Sequence, residues 1–389
     1  MKTTQAIRNV VRYQWKQILA VRQLWLMVLV LPLTLSLFVC YIYGQGYLRD
    51  MPVVLVDMDN SHTSHLTARY LDAHRYLQIK YTTQSIPEAE GYLQSRKANA
   101  LILIPKHFEK DLKSGRQTTL KAYSYGANLV VGRELQKAVT EIILTIKSKL
   151  NSSKLAAKKQ NWVNEKKDYP PIRLETHNLY NPYFNYGWFV PPGLIIAIWQ
   201  LLLVLSVAVV WSMDFEQNKW QEILKLANRK ISLMWIGRLI PFLLLFSVQW
   251  LILVYAVFPL FGIPVHGAMW QGLLFWMLFV AIVYNYGSTI SVMSQDSIFS
   301  VTVCSLTLAG AFAFSGYSYP IWEIPLLPRL FAFIMPTTHY LPCFQSFYLQ
   351  GSSLAGSLTA WSHLLIYAFV MMVISFPVWY HQAMRAKRA

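Results

Sequence analysis

Long apolar segments alternate with polar segments along this chain of 389 residues. The first apolar run, residues 24–43, is long enough for a helix that crosses about 30 Å of hydrocarbon. Five further apolar runs follow the polar middle of the chain, at residues 188–211, 233–258, 269–292, 299–315 and 358–380. The pattern therefore predicts a membrane α-helical fold with six transmembrane helices, and Pro32 predicts a kink in the first of them.

Residues 3–22 have the pattern of an amphipathic helix. Arg8, Arg12 and Lys16 follow one another at four-residue spacing. The neighbouring face is apolar and consists of Ile7, Val10, Val11 and Ile18. We expect residues 1–23 to form a cytoplasmic helix at the inner leaflet, where its basic side chains meet the anionic headgroups of membrane lipid. The alternative is a plain cytoplasmic tail that only carries positive charge.

Residues 44–185 are polar and carry both charge signs, which predicts a soluble domain inserted between the first two spans. Four strand patterns occur in it, at residues 53–56, 77–81, 100–104 and 118–123. Helical patterns separate the strands, at residues 61–71, 85–94 and 108–113. From Leu129 onward the apolar positions follow a helical period as far as Leu150. We therefore expect an extracytoplasmic α/β domain that includes a long helix.

A short charged segment, residues 213–230, continues the second span without a linker. As one amphipathic helix, it would have an apolar side formed by Phe215, Trp220, Ile223, Leu226 and Ala227. Its polar side would consist of Asp214, Gln217, Asn218, Gln221 and Lys225, with Glu222 at the edge. Glu216 would lie inside the apolar side, where its short carboxylate suggests a protein partner or a polar slot between spans. The alternative is a juxtamembrane helix that rests on lipid headgroups.

Residues 316–351 contain no apolar run that could cross a membrane. Their apolar pieces are short and are interrupted by Pro320, Pro325, Pro328, Pro336 and Pro342. Irregular backbone at membrane depth is tolerated only where protein surrounds it. We therefore predict an outer re-entrant hairpin over residues 316–351, within a bundle that extends over residues 186–389.

Composition and charge indicate an integral membrane protein with a defined orientation. Of its residues 55% are hydrophobic and 14% are charged, which is too apolar for a soluble protein of this length. The formal net charge is +17, but 21 of the 35 Lys and Arg residues lie between Gly44 and Phe184. Thirteen more lie in or next to the predicted cytoplasmic segments, and only Arg329 lies in the outer loops. Among the thirteen is Arg238 near the inner end of the third span, from where we expect its long side chain to reach water. This distribution predicts that both termini are cytoplasmic, and it argues against nucleic acid as a partner.

Sequence motifs for catalysis are absent. There is no GxxxxGK[ST] phosphate loop, so the chain itself does not bind and split ATP by that route. HExxH, CxxC and GxSxG patterns are absent as well. His62 and His65 lie near Asp57 and Asp59, but these residues are better explained as turn and helix-start residues than as a metal site. We therefore predict no catalytic residue and no metal site.

Polar side chains within the spans are candidates for a transport pathway. Ionisable residues are nearly missing there, which argues against a charged relay. Tyr284, Asn285 and Tyr286 follow one another in one span and are the strongest candidates for contact with an apolar or amphiphilic substrate. Gln249 and Thr302 are further candidates. The alternative for each of these residues is a hydrogen bond that holds packed helices together.

Several motifs of the chain have counterparts in a known family. Residues 57–61, Asp-Met-Asp-Asn-Ser, follow the first strand of the inserted domain, residues 191–193, Pro-Pro-Gly, head the second span, and residues 336–340, Pro-Thr-Thr-His-Tyr, lie in the predicted hairpin. In the charged segment, acidic residues are spaced as Asp214, Glu216 and Glu222. Over essentially its whole length the chain resembles type-2 ABC exporter permeases of the bacterial branch with a large external domain. Asp214 and Glu216 match the first two acidic positions of that family's E-R-E-x-G-T-x-E pattern, and Glu222 lies one place past the third.

The resemblance implies a permease subunit of an ATP-driven exporter in the bacterial inner membrane. Because the spans lack charges that would bind a strongly ionic molecule, we expect it to move a hydrophobic or amphiphilic small molecule out across that membrane. The permease would pair with a second permease, identical or not, and would dock on a cytoplasmic ABC ATPase. That ATPase would bind ATP and Mg²⁺, so the permease itself would hold no cofactor and would not be an enzyme. The coupling contacts would come from Asp214, Glu216, Trp220, Glu222 and Ile223.

The resemblance also implies a role for the extracytoplasmic domain, which would contribute to the exit path or meet a periplasmic adaptor protein. A different class of function is the main alternative. In it, the six spans anchor a scaffold or surface-interaction protein that transports nothing.

Overall fold

The computed structural model describes residues 3–44, 50–114, 116–124, 129–157, 180–181 and 185–388. The chain divides into two compact units. A helical bundle comprises Met1–Gly46 and His177–Ala389, and an inserted domain comprises Tyr47–Thr176. The coupling and pathway residues predicted from the sequence all lie in the bundle.

Six helical segments of the bundle are long and apolar enough to cross a membrane. We number these spans 1 to 6 along the chain: Arg22–Tyr43, Tyr186–Glu216, Ile231–Leu260, Met269–Ser294, Ser297–Phe314 and Leu358–Arg385. The prediction of six membrane helices is therefore confirmed over the described ranges, as far as length and composition decide it.

The bundle begins with a helix that precedes span 1. The helices of this part are α1 (Thr3–Ala20), α2 (Arg22–Trp25) and α3 (Leu31–Tyr43). A π-helical turn, Leu26–Val30, joins α2 to α3 within span 1. It ends two residues before Pro32, which has no N–H to donate to the carbonyl of Val28, four positions earlier. The kink expected at Pro32 stays a prediction.

The inserted domain contains a four-stranded sheet with the strand order β2-β1-β3-β4. The strands are β1 (Met51–Asp57), β2 (Leu77–Thr83), β3 (Ala100–Ile104) and β4 (Lys121–Ser124). The helices are α4 (His62–Asp72), α5 (Ile86–Gln94), α6 (Phe108–Lys113) and α7 (Leu129–Ala157). Strand β1 is parallel to β2 and β3, and β4 is antiparallel to β3. Because parallel neighbours need a crossover, α4 and α5 connect them, and α/β alternation is present as predicted.

The two faces of this sheet have separate apolar cores. Val53 and Leu55 of β1 pack on one face with side chains of α4 and α7. Val54 and Val56, which point the other way, pack with Ala89 of α5. Alternate residues of β1 are thus buried on opposite faces, as expected for a strand covered on both sides.

The rest of the bundle follows the inserted domain. Its span helices are α8 (Tyr186–Glu216), α10 (Ile231–Ile252), α11 (Phe258–Leu260), α12 (Met269–Ser294), α13 (Ser297–Leu308), α14 (Ala311–Phe314) and α17 (Leu358–Arg388). A second π-helical turn, Leu253–Val257, joins α10 to α11 in span 3. The short helices outside the spans are α9 (Trp220–Leu226), α15 (Leu326–Ile334) and α16 (Pro336–Tyr348).

The segment after span 2 differs from the single helix expected over residues 213–230. Helix α8 continues to Glu216, and α9 begins only at Trp220. Between them Asn218 has a φ of 57°, a left-handed conformation that ends a helix and that Asn adopts more readily than most residues. Asp214 therefore belongs to the last turn of span 2 and does not lie on a separate amphipathic helix.

Residues 316–351 contain short helices instead of a span, as their prolines predict. These are a 3₁₀ turn (Ile321–Glu323), α15 and α16. Proline begins α16 and lies directly before α15, where its missing N–H costs no helical hydrogen bond. The position of this segment as an outer re-entrant hairpin at membrane depth stays a prediction.

Candidate functional site

Helix α1 packs against the beginning of span 3. Its buried stripe, Ala6, Val10, Gln14 and Ile18, has the four-residue spacing of one helix face. The two helices approach closely at Gly237, where a Cβ atom would lie 2.8 Å from Val10. Arg8, Arg12 and Lys16 are exposed on other sides of α1. The apolar face expected to enter the lipid interface is therefore used in part to hold α1 on the bundle.

A buried ion pair joins α8 to α10 beside this contact. Neither Asp214 nor Arg238 has an exposed side chain, and Arg238 Nη2 lies 2.5 Å from Asp214 Oδ2. Tyr13 Oη and Gln17 Nε2, both from α1, donate to Asp214 Oδ1 at 2.8 and 3.0 Å. Arg238 Nε in turn donates to Gln14 Oε1 at 2.9 Å. We call these five side chains, from three helices, the polar cluster.

The polar cluster corrects two expectations about its charged members. Asp214 was expected on the polar side of an amphipathic helix, and Arg238 near enough to the end of its span to reach water. Both are instead fully buried, because each neutralises the other and α1 covers them. A buried charge is stable only when it is paired and hydrogen-bonded, and breaking such a pair costs about 3–5 kcal/mol.

Tyr13 is held as a hydrogen-bond donor in this cluster. Burial, followed by the negative charge of Asp214 and the hydrogen bond to it, raises the pKa of the Tyr13 hydroxyl. The hydroxyl therefore keeps its proton at every physiological pH and continues to donate to Asp214. The contact of Tyr13 with a buried charge was hard to predict from the sequence. Its one sign is Gln14, a polar residue within the apolar stripe of α1.

Aromatic side chains extend the polar cluster toward α9 and span 4. The guanidinium of Arg238 lies 4.4 Å from the ring centre of Trp211, a cation–π distance. Trp211 Nε1 donates to Tyr284 Oη at 2.9 Å. Trp220, the first residue of α9, stacks on Phe215 with ring centres 4.4 Å apart and also packs near Trp211. Helix α9 is thus attached to the same cluster that joins α1, α8 and α10.

The five predicted coupling residues fall into two groups. Asp214, Trp220 and Ile223 are buried, whereas Glu216 and Glu222 are exposed. The exposed side of the turn and of α9 consists of Glu216, Gln217, Asn218, Lys219, Gln221, Glu222 and Lys225. A short helix is therefore fixed to the bundle on one side and presents charged and amide groups on the other.

Glu216 connects the end of span 2 to the start of span 5. Its Oε1 accepts from the backbone N–H of Ser297 at 2.8 Å, and Asp296 Oδ1 accepts from the N–H of Phe299 at 2.6 Å. Both carboxylates satisfy free N–H groups at the N-terminus of α13, where negative charge is favourable. The intramolecular partner of Glu216 is therefore a helix start, and its side chain is exposed and not buried in a slot.

The three successive pathway candidates of span 4 contact three different spans. Tyr284 accepts from Trp211 of span 2. Asn285 Nδ2 donates to the Met371 carbonyl and to Ser375 Oγ of span 6, at 3.2 and 2.9 Å. Tyr286 Oη donates to Thr307 Oγ1 of span 5 at 3.0 Å. All three are buried, and their hydrogen bonds hold the bundle together.

The other two pathway candidates also have hydrogen-bond partners. Gln249 Nε2 donates to the carbonyl of Val28 at 2.8 Å and to that of Leu29 at 3.1 Å. The Val28 carbonyl is the one to which Pro32, without an N–H, cannot donate. Thr302 Oγ1 donates to the Ile298 carbonyl in its own helix and is exposed. Contact of any of the five candidates with a transported molecule stays a prediction.

The motif Asp57–Ser61 in the inserted domain forms a turn between β1 and α4. Asp57 Oδ1 accepts from the N–H groups of Asp59 and Asn60, and its Oδ2 accepts from Ser64 Oγ. Ser61 and Ser64 form a reciprocal cap at the start of α4. Asp57 and Ser61 are thus used to build the turn.

The second aspartate of this motif is used in a similar way. Asp59 Oδ2 accepts from the N–H of Glu109 at 3.0 Å. Partial burial opposes ionisation, but hydrogen bonds from Ser61 and from the backbone of residues 107–109 outweigh it and lower the pKa of Asp59. Over the described residues, no three His, Cys, Asp or Glu side chains lie close enough to hold a metal ion.

Comparisons with known proteins agree with the arrangement of the chain. A family model described as ABC-2 family transporter protein matches residues 22–376. The chain is 22% identical over 337 residues to the Probable multidrug ABC transporter permease YbhR of Escherichia coli K12, covering 84% of this chain and 85% of that protein. It is 23% identical over 346 residues to the Inner membrane transport permease YhhJ of the same strain, covering 87% of each.

No solved structure matches the chain. The family match nevertheless extends from the start of span 1 into span 6 and includes the polar cluster residues Asp214 and Arg238. Because this match covers far more than half of its length, the chain belongs to the ABC-2 family of transporter proteins.

Proposed function

We propose that the chain is the permease subunit of an ATP-driven exporter that moves a hydrophobic or amphiphilic small molecule out across the bacterial inner membrane. Family membership implies an ABC ATPase and a second permease as partners. The names of two relatives, a probable multidrug permease and an inner membrane transport permease, support the substrate class and the location. ATP and Mg²⁺ are bound by the ATPase and not by this chain.

The single observation that carries the proposal is the attachment of α9. Its buried side, Trp220 and Ile223, packs into the aromatic cluster around Trp211, and its other side is exposed and charged. A partner that pushes on the exposed side would move α8, α10 and α1 together, since the polar cluster holds them in one unit. In this proposal α9 and both termini lie in the cytoplasm, where an ATPase can reach them.

The inserted domain lies outside the cytoplasm in this proposal and contributes to the exit path or meets a periplasmic adaptor protein. A cavity of about 450 Å³ lies between α4 and β2 and is lined in part by Leu55, His65, Arg69, Asp72 and Thr82. Its size is in the range of small-molecule sites, but its lining is mainly polar, so it does not by itself support contact with a hydrophobic cargo.

Affinity purification of the tagged chain from native membranes tests the docking. We expect an ATPase with a P-loop to co-purify with the wild-type chain and to be lost from the Glu222→Lys variant, because that change reverses a charge on the exposed side of α9. The matched control is Glu323→Lys, an exposed charge reversal in the segment between spans 5 and 6. Equal retention of the ATPase by both variants would contradict docking on α9, and absence of any ATPase from the wild type would favour the scaffold alternative.

A further inference from the structure

At the start of span 2, two backbone carbonyls do not receive the usual helical hydrogen bond. Pro191 and Pro192 lie inside α8 and have no N–H, so neither can donate to the carbonyl four residues earlier. The carbonyls that lose this donor are those of Gly187 and Trp188. A carbonyl that is buried without a donor is costly, so other groups must supply one.

Tyr348, in the segment between spans 5 and 6, supplies a donor to one of these carbonyls, and Tyr317 of the same segment donates to the carbonyl next to it. Tyr348 Oη donates to the Trp188 carbonyl at 3.0 Å. Tyr317 Oη donates to the adjacent Phe189 carbonyl at 2.6 Å, and the two hydroxyl oxygens lie 2.9 Å apart. Two hydroxyl protons thus serve three close contacts, so one contact always lacks its own proton. Both side chains are buried.

Gly193 makes room for this contact. A Cβ atom at this position would overlap the ring of Tyr317, so any other residue would push the ring away from α8. The same ring stacks on Phe189, with centres 4.9 Å apart and planes 12° from parallel. The Pro-Pro-Gly motif therefore has a structural explanation. Pro192 leaves the Trp188 carbonyl without its helical donor, and Gly193 leaves space for the ring of Tyr317 against the helix.

The two tyrosines are fixed to different neighbours. Tyr317 follows Gly316, whose φ of 82° turns the chain directly after span 5. Tyr348 ends α16, and its carbonyl accepts from the N–H of His266 in the loop between spans 3 and 4 at 3.0 Å. The two tyrosines therefore connect the start of span 2 with the turn after span 5 and, through α16, with the loop between spans 3 and 4.

We propose that Tyr317, Tyr348 and the Trp188 and Phe189 carbonyls form a latch that keeps this end of the bundle closed and parts during each transport cycle. The inference rests on the proposed function. Trp188 and Asp214 lie at opposite ends of α8, about 39 Å apart at 1.5 Å per residue, so one continuous helix links the latch to the polar cluster. Movement of the cluster by the ATPase displaces the far end of α8, where three contacts share two hydroxyl protons and so are not all hydrogen-bonded at once.

Removal of the two hydroxyls, with the rings kept, tests the latch in the purified complex of permease and ATPase. We expect the double variant Tyr317→Phe, Tyr348→Phe to shift the bundle about tenfold toward the parted form, since two hydrogen bonds are lost. ATP hydrolysis without added cargo would then rise several-fold. Tyr319→Phe is the matched control, because Tyr319 is exposed and lies two residues from Tyr317. Unchanged hydrolysis in the double variant would overturn the latch.

A second measurement reports the contact itself and does not depend on the phenylalanine variants. p-Azidophenylalanine in place of Phe189, whose ring stacks on Tyr317, keeps both tyrosine hydroxyls. It should crosslink to the peptide that contains Tyr317 in the nucleotide-free complex, and the yield should fall after trapping with ATP and vanadate. An equal yield in both states would overturn the latch even if the complex hydrolyses ATP. Failure of the ATPase to co-purify at all would instead contradict the proposed function.

Discussion

Asp214 and Arg238 show how two charges are kept inside an apolar bundle. Each would be unstable there alone, and together they are paired with one another and hydrogen-bonded to Tyr13, Gln17 and Gln14. The sequence showed an aspartate and an arginine near the ends of two spans. It could not show that they meet, since residues 24 positions apart in a chain have no fixed spatial relation across a helix break.

Replacement of one member of this pair should destabilise the protein more than replacement of both. We expect Asp214→Leu and Arg238→Met each to lower the free energy of unfolding by about 3–5 kcal/mol, because the remaining charge is buried without its partner. The double variant should recover much of that loss, as apolar side chains replace both charges. Thermal unfolding in detergent measures this, with Glu222→Gln as an exposed control. Additive losses in the double variant would contradict the pairing.

Gln249 is a residue for which packing and transport make different predictions. If its role is to donate to the Val28 and Leu29 carbonyls, Gln249→Leu should lower the free energy of unfolding by about 1–3 kcal/mol. Thr302→Val should leave stability unchanged, because the Thr302 hydroxyl bonds only within its own helix among the contacts observed. Midpoints of thermal unfolding and ethidium efflux should be measured together. Altered efflux at unchanged stability in Gln249→Leu would favour the pathway role.

At the scale of elements, the spans and the turn after span 2 differ in how far they could be predicted. Apolar runs of 17 or more residues predicted each span, because length and hydropathy alone decide whether a helix can cross a membrane. The break at Asn218 was missed, since a helical wheel assumes continuity and a single left-handed residue ends it. Strand β1 was predicted well because its run is apolar throughout and ends at a turn-forming aspartate.

The contact between α1 and span 3 depends on the absence of a side chain at Gly237. We expect Gly237→Val to push α1 away from α10 and to lower the free energy of unfolding by about 1–3 kcal/mol, the usual cost of overpacking. The change Val10→Ala should partly rescue it, because it removes Val10 Cγ1, one of the two Val10 atoms that a Cβ atom at position 237 would meet at 2.8 Å. Thermal unfolding of both single variants and the double variant measures this coupling. If Val10→Ala restores no stability to Gly237→Val, the contact between α1 and α10 is contradicted.

For the molecule as a whole, α8 is the element that connects the polar contacts of two distant regions. Its last turn contributes Asp214 to the polar cluster, and its first turns contribute the carbonyls that bind Tyr317 and Tyr348. In the proposed function, a push on α9 reaches the other end of the bundle through that helix. A cytoplasmic ATPase can supply this push only if α9 lies on the cytoplasmic side of the membrane.

Side-specific labelling of α9 tests this most directly. The three native cysteines, Cys40, Cys304 and Cys343, are buried, so background reaction with a membrane-impermeant maleimide should be low. We introduce a cysteine at the exposed positions Lys225 of α9 and Ala355 before span 6. The account predicts that Lys225→Cys is labelled only in inside-out vesicles and Ala355→Cys only in intact spheroplasts. Labelling of Lys225→Cys in intact spheroplasts would place α9 beyond the reach of a cytoplasmic ATPase and would contradict the account.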